Sequence, residues 1–183
     1  YIGVDIAQNM PGTFLTFTTG TRTLFGTSGD DQLQIEYAFN TLLAGEGRDT
    51  IAGGDDPDTF EKLFGGRDDD VFVWSEGDHI YHGGQPGLDY AADGIDNVEY
   101  TGIGTVRIDA AQGVVPHLGA DFVATHASGS DQLFSIEKIR WNTTSDTVLV
   151  GDGVDLLENR LLFDLDTETP GGQGDTLDFT GQR

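Results

Sequence analysis

The chain has 183 residues, 32 of them acidic and 9 basic, for a formal net charge of −23. That length suits one ordinary domain. The charge excludes the basic face a nucleic-acid binder needs and disfavours docking on an anionic membrane surface. There is no cysteine, hence no disulfide framework and no thiolate metal site, and no apolar run reaches the roughly 18 residues of a membrane-spanning helix.

The acidic residues are 24 Asp against 8 Glu, and 27 residues are Gly, about twice the usual share of roughly 7%. Asp and Gly are turn residues, so many tight turns presenting carboxylates are expected. Such carboxylates repel one another unless a cation neutralises them. Order is therefore expected to arrive when something positive binds. Residues 1–25 hold two alternating apolar stretches, Tyr1 to Ile6 and Phe14 to Phe17, and threonines at 13, 16, 18, 19, 21 and 23 that suit strands. This start is predicted to cap one end of a stack of repeats, because a bare end is an aggregation-prone edge.

Residues 26–100 carry a nine-residue repeat. Stepping nine from Leu33 gives Leu42, Ile51 and Phe60, all apolar. Stepping nine from Asp31 gives Asn40, Asp49 and Asp58, all bearing a side-chain oxygen. Three extra residues, Lys62, Leu63 and Phe64, then precede the unit Gly65-Gly66-Arg67-Asp68-Asp69-Asp70-Val71-Phe72-Val73. His79 falls in the next Asp place and Tyr81 in the next apolar place, and a unit with one extra residue brings Asp89 before Tyr90. A further copy, out of register, places Asp96 before Val98.

Each unit reads as a six-residue turn, with Gly where φ is positive or backbones crowd, followed by a three-residue strand whose eighth side chain points inward. Two units make one circuit of about 18 residues, so Asp31, Asp49 and Asp70 are expected to stack once Lys62 to Phe64 are looped out, with Asp89 next in line. The opposite edge is expected to carry Asn40, Asp58 and His79. Carboxylates stacked between turn carbonyls suit Ca²⁺, which takes six to eight oxygen ligands in forgiving geometry, whereas Mg²⁺ is stricter and Zn²⁺ favours nitrogen or sulfur.

The pattern Gly-Gly-x-Gly-x-Asp-x-apolar-x resembles the calcium-binding nonapeptide of the RTX (repeats-in-toxin) family. The resemblance covers about residues 26–100. It implies an all-β fold, a right-handed parallel β-roll or β-solenoid with calcium in its turns. It also implies type I secretion, a secreted or bacterial cell-surface location, and folding triggered by several Ca²⁺ ions outside the cell. Carried over residue by residue, the turn ligands are Asp31, Asp49, Asp58 and Asp70, with Asp89 and Asp96. The sequence departs from the pattern at Asn40 and His79, which replace the Asp, and at Asp56 and Asp68, which replace the fourth-place Gly.

Residues 101–141 lose the repeat and are expected to form an irregular β insert. Thr105 to Asp109 and Ser135 to Trp141 read as strands, with 113–130 as loop. The repeat returns faintly in 142–183, where Asp146, Asp155 and Asp175 are further calcium candidates. Residues 155–163 fit a short helix or a strand pair. The four segments are read as one continuous domain.

No catalytic motif is present: His-Glu-x-x-His and Gly-x-Ser-x-Gly are both absent. His79 and His82 face opposite sides of a strand and read as substituted repeat positions. Phe60, Phe64, Phe72, Trp74, Tyr81, Tyr90 and Tyr100 read mainly as core, which leaves Trp141 and Tyr37 as the freer candidates for stacking on a sugar. The expected function is a non-catalytic calcium-binding module. Two alternatives are an adhesin or surface-layer module that binds glycan or a sister chain, and a calcium-triggered module that cleaves itself at Asp56-Pro57.

Overall fold

The computed structural model describes residues 14–17, 23–35, 41–56, 58, 60–84, 94–111, 121–141, 147–151, 154, 161–165 and 176–179. These form sixteen strands: β1 (Phe14–Phe17), β2 (Thr23–Phe25), β3 (Gln32–Ile35), β4 (Thr41–Glu46), β5 (Thr50–Ala52), β6 (Phe60–Arg67), β7 (Val71–Val73), β8 (Asp78–His82), β9 (Asn97–Tyr100), β10 (Thr105–Ala110), β11 (Phe122–His126), β12 (Gly129–Phe134), β13 (Lys138–Trp141), β14 (Thr147–Val150), β15 (Leu162–Leu165) and β16 (Thr176–Asp178). The described residues contain no helix, and the fold is all-β.

Up to β9 the chain deals its strands alternately to two sheets. The first has the order β1-β3-β5-β7-β9-β13-β15, and the second β16-β14-β10-β11-β12-β8-β6-β4-β2. Pairing is parallel everywhere except β10 with β11 and β11 with β12. Registers step by 18 residues, as in Leu33↔Ile51 and Leu24↔Leu42, until an insertion lengthens the step to 21, as in Ile51↔Phe72 and Leu42↔Leu63. Short strands with one inward apolar residue bury little alone. Stacking lines those residues into two columns: Leu33, Ile51, Phe72, Val98 and Ile139 on the first sheet, and Leu24, Leu42, Leu63, Tyr81 and Leu133 on the second. The columns meet between the sheets, where the Phe72 and Tyr81 rings lie 5.5 Å apart.

The three extra residues are not looped out at Lys62 to Phe64. They lengthen the connection between Ala52 and Phe60, and Lys62, Leu63 and Phe64 lie within β6. Leu63 fills the inward place and is fully buried, while Phe60 is half-buried. The extra length falls in the polar segment between the two strands, where Asp and Gly suit a turn. Looping out Leu63 would have put a large apolar side chain into water.

The second half is more regular than its sequence. Within 113–130, read as loop, residues 122–126 form one strand and residues 129 and 130 begin another, which runs to 134. After β9 the chain skips two strand positions to β10 and returns through antiparallel β11 to β12, which lies parallel to β8. The second sheet thus gains two strands that the first lacks, and large side chains fill the space between. Tyr100 and Trp141 are fully buried and stack at 6.1 Å, with Trp141 against Phe163. Trp141 is therefore core and not a free sugar-stacking surface; Tyr37 and Tyr90 lie outside the described residues. Within 155–163, Leu162 and Phe163 belong to β15 and the helical alternative has no support there.

At the corner after β4 and β6 the backbones approach closely. Gly45 and Gly66 pair in register with φ of 128° and 122°, and a Cβ on Gly66 would collide with the Gly45 carbonyl. Gly66→Ala is expected to destabilise the fold by roughly 2 kcal/mol or more, measured as a lowered thermal midpoint. The fourth-place Gly has a similar need: Gly47 has φ 112° and Asp68, which replaces Gly one circuit on, is held at φ 74°. Asp is among the few residues that tolerate this region.

Candidate functional site

The turns that precede β3, β5, β7, β9 and β13 each end on an acid two residues before the inward apolar residue. This spacing stacks Asp31, Asp49, Asp70 and Asp96, all at most 1% exposed. The stack is held by a repeated bond. The backbone N–H of Asp31 donates to Asp49 Oδ1 at 2.8 Å, that of Asp49 to Asp70 Oδ1 at 2.8 Å, and that of Asp70 to Asp96 Oδ1 at 2.9 Å. Asp96 N–H continues the line to Glu137 Oε2 at 3.0 Å. The Asp31–Asp49–Asp70 order is the one that the nine-residue phase predicts. Asp96 takes the next place, with the Asp70 N–H on its Oδ1. Asp89 lies outside the described residues, as do Asp146, Asp155 and Asp175.

Each ladder carboxylate spends one oxygen on the backbone. The second oxygens of Asp49 and Asp70 are buried with no hydrogen-bond partner among the described residues. Burial pushes the Asp49 carboxyl up to about 7, with Asp31, Asp30 and Asp68 adding repulsion. Burial pushes Asp70 further, to about 9, with Asp96, Asp49 and Asp68 adding repulsion. A buried carboxylate without a counter-charge takes up a proton or waits for a cation.

Glycines face the ladder and leave room beside it. A Cβ on Gly65 would collide with Asp70 Oδ2 and crowd the Gly83 carbonyl. One on Gly83 would meet Asp96 Oδ2 and the Ser135 carbonyl, and one on Gly26 the Ala44 carbonyl and Asp31 Oδ2. Beside Asp31, Asp70 and Asp96 each glycine thus faces one carboxylate oxygen and one backbone carbonyl, an all-oxygen set of the kind Ca²⁺ takes, although Asp31 Oδ2 also accepts the Thr27 N–H at 2.6 Å. Among the described residues no three His, Asp or Glu side chains converge as a metal cage.

Outside the ladder a second line of acids ties successive turns together. Arg48 N–H donates to Asp30 Oδ1 at 2.9 Å and Ile95 N–H to Asp69 Oδ1 at 2.8 Å. The pairs Arg48–Asp69 at 3.0 Å and Arg67–Glu46 at 3.1 Å are exposed and add little stability.

The second edge differs from its sequence reading. Asp58 is exposed in the turn after Asp56, whose Oδ1 accepts the Asp58 N–H at 3.1 Å. Glu61 takes the ladder place, in register with His79. Asn40 lies outside the described residues. His79 N–H in turn donates to Asp131 Oδ1 at 3.1 Å. Glu61, His79 and Asp131 are fully buried. His79 Nδ1 lies 3.3 Å from Asp131 Oδ1, and Nε2 lies 3.4 Å from Glu61 Oε2 and 3.2 Å from Ser75 Oγ. Asp131 Oδ2 accepts the Tyr100 hydroxyl at 2.9 Å and lies 3.1 Å from His126 Nε2. Burial opposes a charge on His79, but its bonds to Asp131 and Glu61 outweigh that and push it up to about 9.

Ser75, His79 and Asp131 have the connectivity of a nucleophilic triad. The chemistry does not follow. A ring pushed up to about 9 is a poor acceptor for the Ser75 proton at neutral pH. Ser75, 3% exposed, is closed to an acyl substrate. His82, by contrast, lies on the outer face, stacked on Phe134 at 5.4 Å and beside Phe64 at 5.4 Å. Glu61, Asp131 and Glu137 escaped the nine-step search, yet each stands two residues before an inward apolar residue, Leu63, Leu133 and Ile139. That acid-x-apolar triplet is the signal that finds them. Compared with known proteins, the chain matches no family model, no curated protein and no solved structure.

Proposed function

We propose that this chain is a non-catalytic, calcium-binding module of the RTX repeat type, a right-handed parallel β-roll that folds when calcium neutralises its Asp ladder. One observation carries the reading: Asp31, Asp49, Asp70 and Asp96 stack in register, with a buried carboxylate oxygen on Asp49 and on Asp70 that has no partner among the described residues. The alternation of parallel strands between two sheets in steps of 18 residues supports the roll. Asp31, Asp49, Asp70 and Asp96 would hold the ions, with the turn carbonyls of Ala44, Gly83 and Ser135 beside them. Calcium there would supply the positive charge that the buried Asp49 and Asp70 carboxylates call for.

The chain's own part is to present the oxygens and to withhold a stable fold until they are neutralised. Binding free energy then becomes folding free energy, and stacking makes the response cooperative. A chain of net charge −23 would stay extended in a calcium-poor cell and fold outside it, as befits a secreted or cell-surface bacterial protein.

Far-UV circular dichroism during a calcium titration from EGTA tests this. A cooperative gain of β signal is expected with calcium and not with equal magnesium. Because Asp49 and Asp70 must lose protons to take a cation, less calcium is expected to suffice at pH 8.5 than at pH 6. A chain fully folded in EGTA, whose spectrum and melting ignore calcium, would sink the reading.

A further inference from the structure

The two edges of the stack solve the same electrostatic problem with different cations. On the first edge every place from Asp31 to Glu137 is acidic. On the second, the described places read Glu61, His79, Asp131, so a basic group sits between two acids. The side chains are fully buried, and both imidazole nitrogens have a carboxylate oxygen within 3.4 Å. Gly54 N–H also donates to Glu61 Oε2 at 2.9 Å. Room for the arrangement comes from Gly53, where a Cβ would crowd Glu61 Oε2, Ser75 Oγ and His79 Nε2 together. The His79 ring is further fixed by stacking on Tyr81 at 5.5 Å and 17°.

We propose that the His79 imidazolium is a built-in counter-cation that staples β6, β8 and β12 through Glu61 and Asp131, making the second edge dependent on a proton and independent of calcium. The inference goes beyond the calcium reading and stands whether or not the first edge binds metal.

The titratable groups around His79 are few. β6 offers Glu61 and β12 offers Asp131. β8 itself offers Tyr81. β11 and β9 reach Asp131 through His126 and Tyr100. Burial raises the Tyr81 and Tyr100 hydroxyls well above 10, so neither ionises in the window that matters. His79 is raised from 6.5 to about 9 in the fold. Its contribution is therefore complete below pH 6.5 and is lost as pH rises through about 9. Across that window the folding constant is expected to fall on the order of a hundredfold. Deprotonation would leave Glu61 and Asp131 as buried charges facing a neutral ring, which is why loss of one partner is costly.

The decisive measurement is heteronuclear NMR of the ring nitrogens in the full calcium-saturated chain, assigned through bonds. At pH 7.5 His79 is expected to carry protons on both nitrogens and to lose one near pH 9. A neutral His79 at pH 7.5 overturns the proposal, and this readout needs no variant to fold. A second arm compares unfolding of wild type and His79→Gln from pH 6 to 10, again at saturating calcium. The wild type should lose more stability over this range than the variant, whatever slope Asp49 and Asp70 add to both; equal pH slopes overturn the proposal. A chain that ignores calcium but keeps a doubly protonated His79 overturns only the calcium reading.

Discussion

Asp70→Asn is expected to stabilise the calcium-free chain and to remove most of its response to calcium. Asp70 Oδ1 accepts the Asp49 N–H at 2.8 Å, and an amide oxygen keeps that bond. Oδ2 lies buried, with no partner among the described residues, beside the Gly83 carbonyl that crowds the same Gly65 side. An amide nitrogen in its place has a donor to offer. The carboxyl, raised from 3.8 to about 9, favours folding of the cation-free chain fully below pH 3.8. That benefit disappears as pH rises through about 9. At pH 7 the unfolded chain has released the proton and the fold still demands it, a penalty of roughly 4 kcal/mol over the three pH units. Asn never incurs it. Far-UV circular dichroism in EGTA at pH 5 and pH 8 reads the effect: wild type loses β signal between the two far more than the variant does. Calcium titration of the same pair reads the other half, with the variant's gain sharply reduced. A variant that is less stable than wild type in EGTA at pH 8, yet keeps the full calcium response, would show that Asp70 is not a cation site.

Leu63→Ala is expected to cost about 3 kcal/mol and Phe60→Ala about 1 kcal/mol. A strict nine-residue step makes Phe60 the inward residue. In the fold, Leu63 is fully buried between Leu42 and Tyr81, and Phe60 is only half-buried at the start of β6. Truncating Leu63 opens a cavity in a column that cannot collapse, because parallel strands above and below hold its walls apart. For a chain of this size the loss lowers the thermal midpoint by roughly 6–12 °C. The reverse ranking of the two variants would mean that Lys62 to Phe64 are looped out after all.

The sequence was most legible where its two periodic series ran in phase. Leu33, Leu42 and Ile51 are inward, and Asp31, Asp49 and Asp70 stack, because both follow from a fixed number of residues per circuit. The all-β class followed from the same repeat. Legibility failed at the insertions. Counting residues locates an insertion only to within one unit, and the cost of exposing Leu63 decides where it goes. The same ambiguity hid Glu61 behind Asp58 and Asp96 behind Asp89. The antiparallel return through β11 left no periodic trace, since Phe122, Ala124 and His126 alternate like any half-buried strand.

The network around His79 was the least visible. Its members come from five strands and one turn: Glu61, His79, Tyr100, His126 and Asp131 with Ser75. Asp131 stands 52 positions from His79 along the chain, and no local pattern marks such a partner. By itself the sequence determined the class of the fold, the spacing of its inward residues and the chemistry of its first edge, because each depends on local period and residue type. Only the tertiary structure decided which residues share a rung after an insertion, and that a buried histidine takes the place of a cation on the second edge. Those outcomes depend on which side chains the folded chain can afford to leave in water and which charges it encloses together.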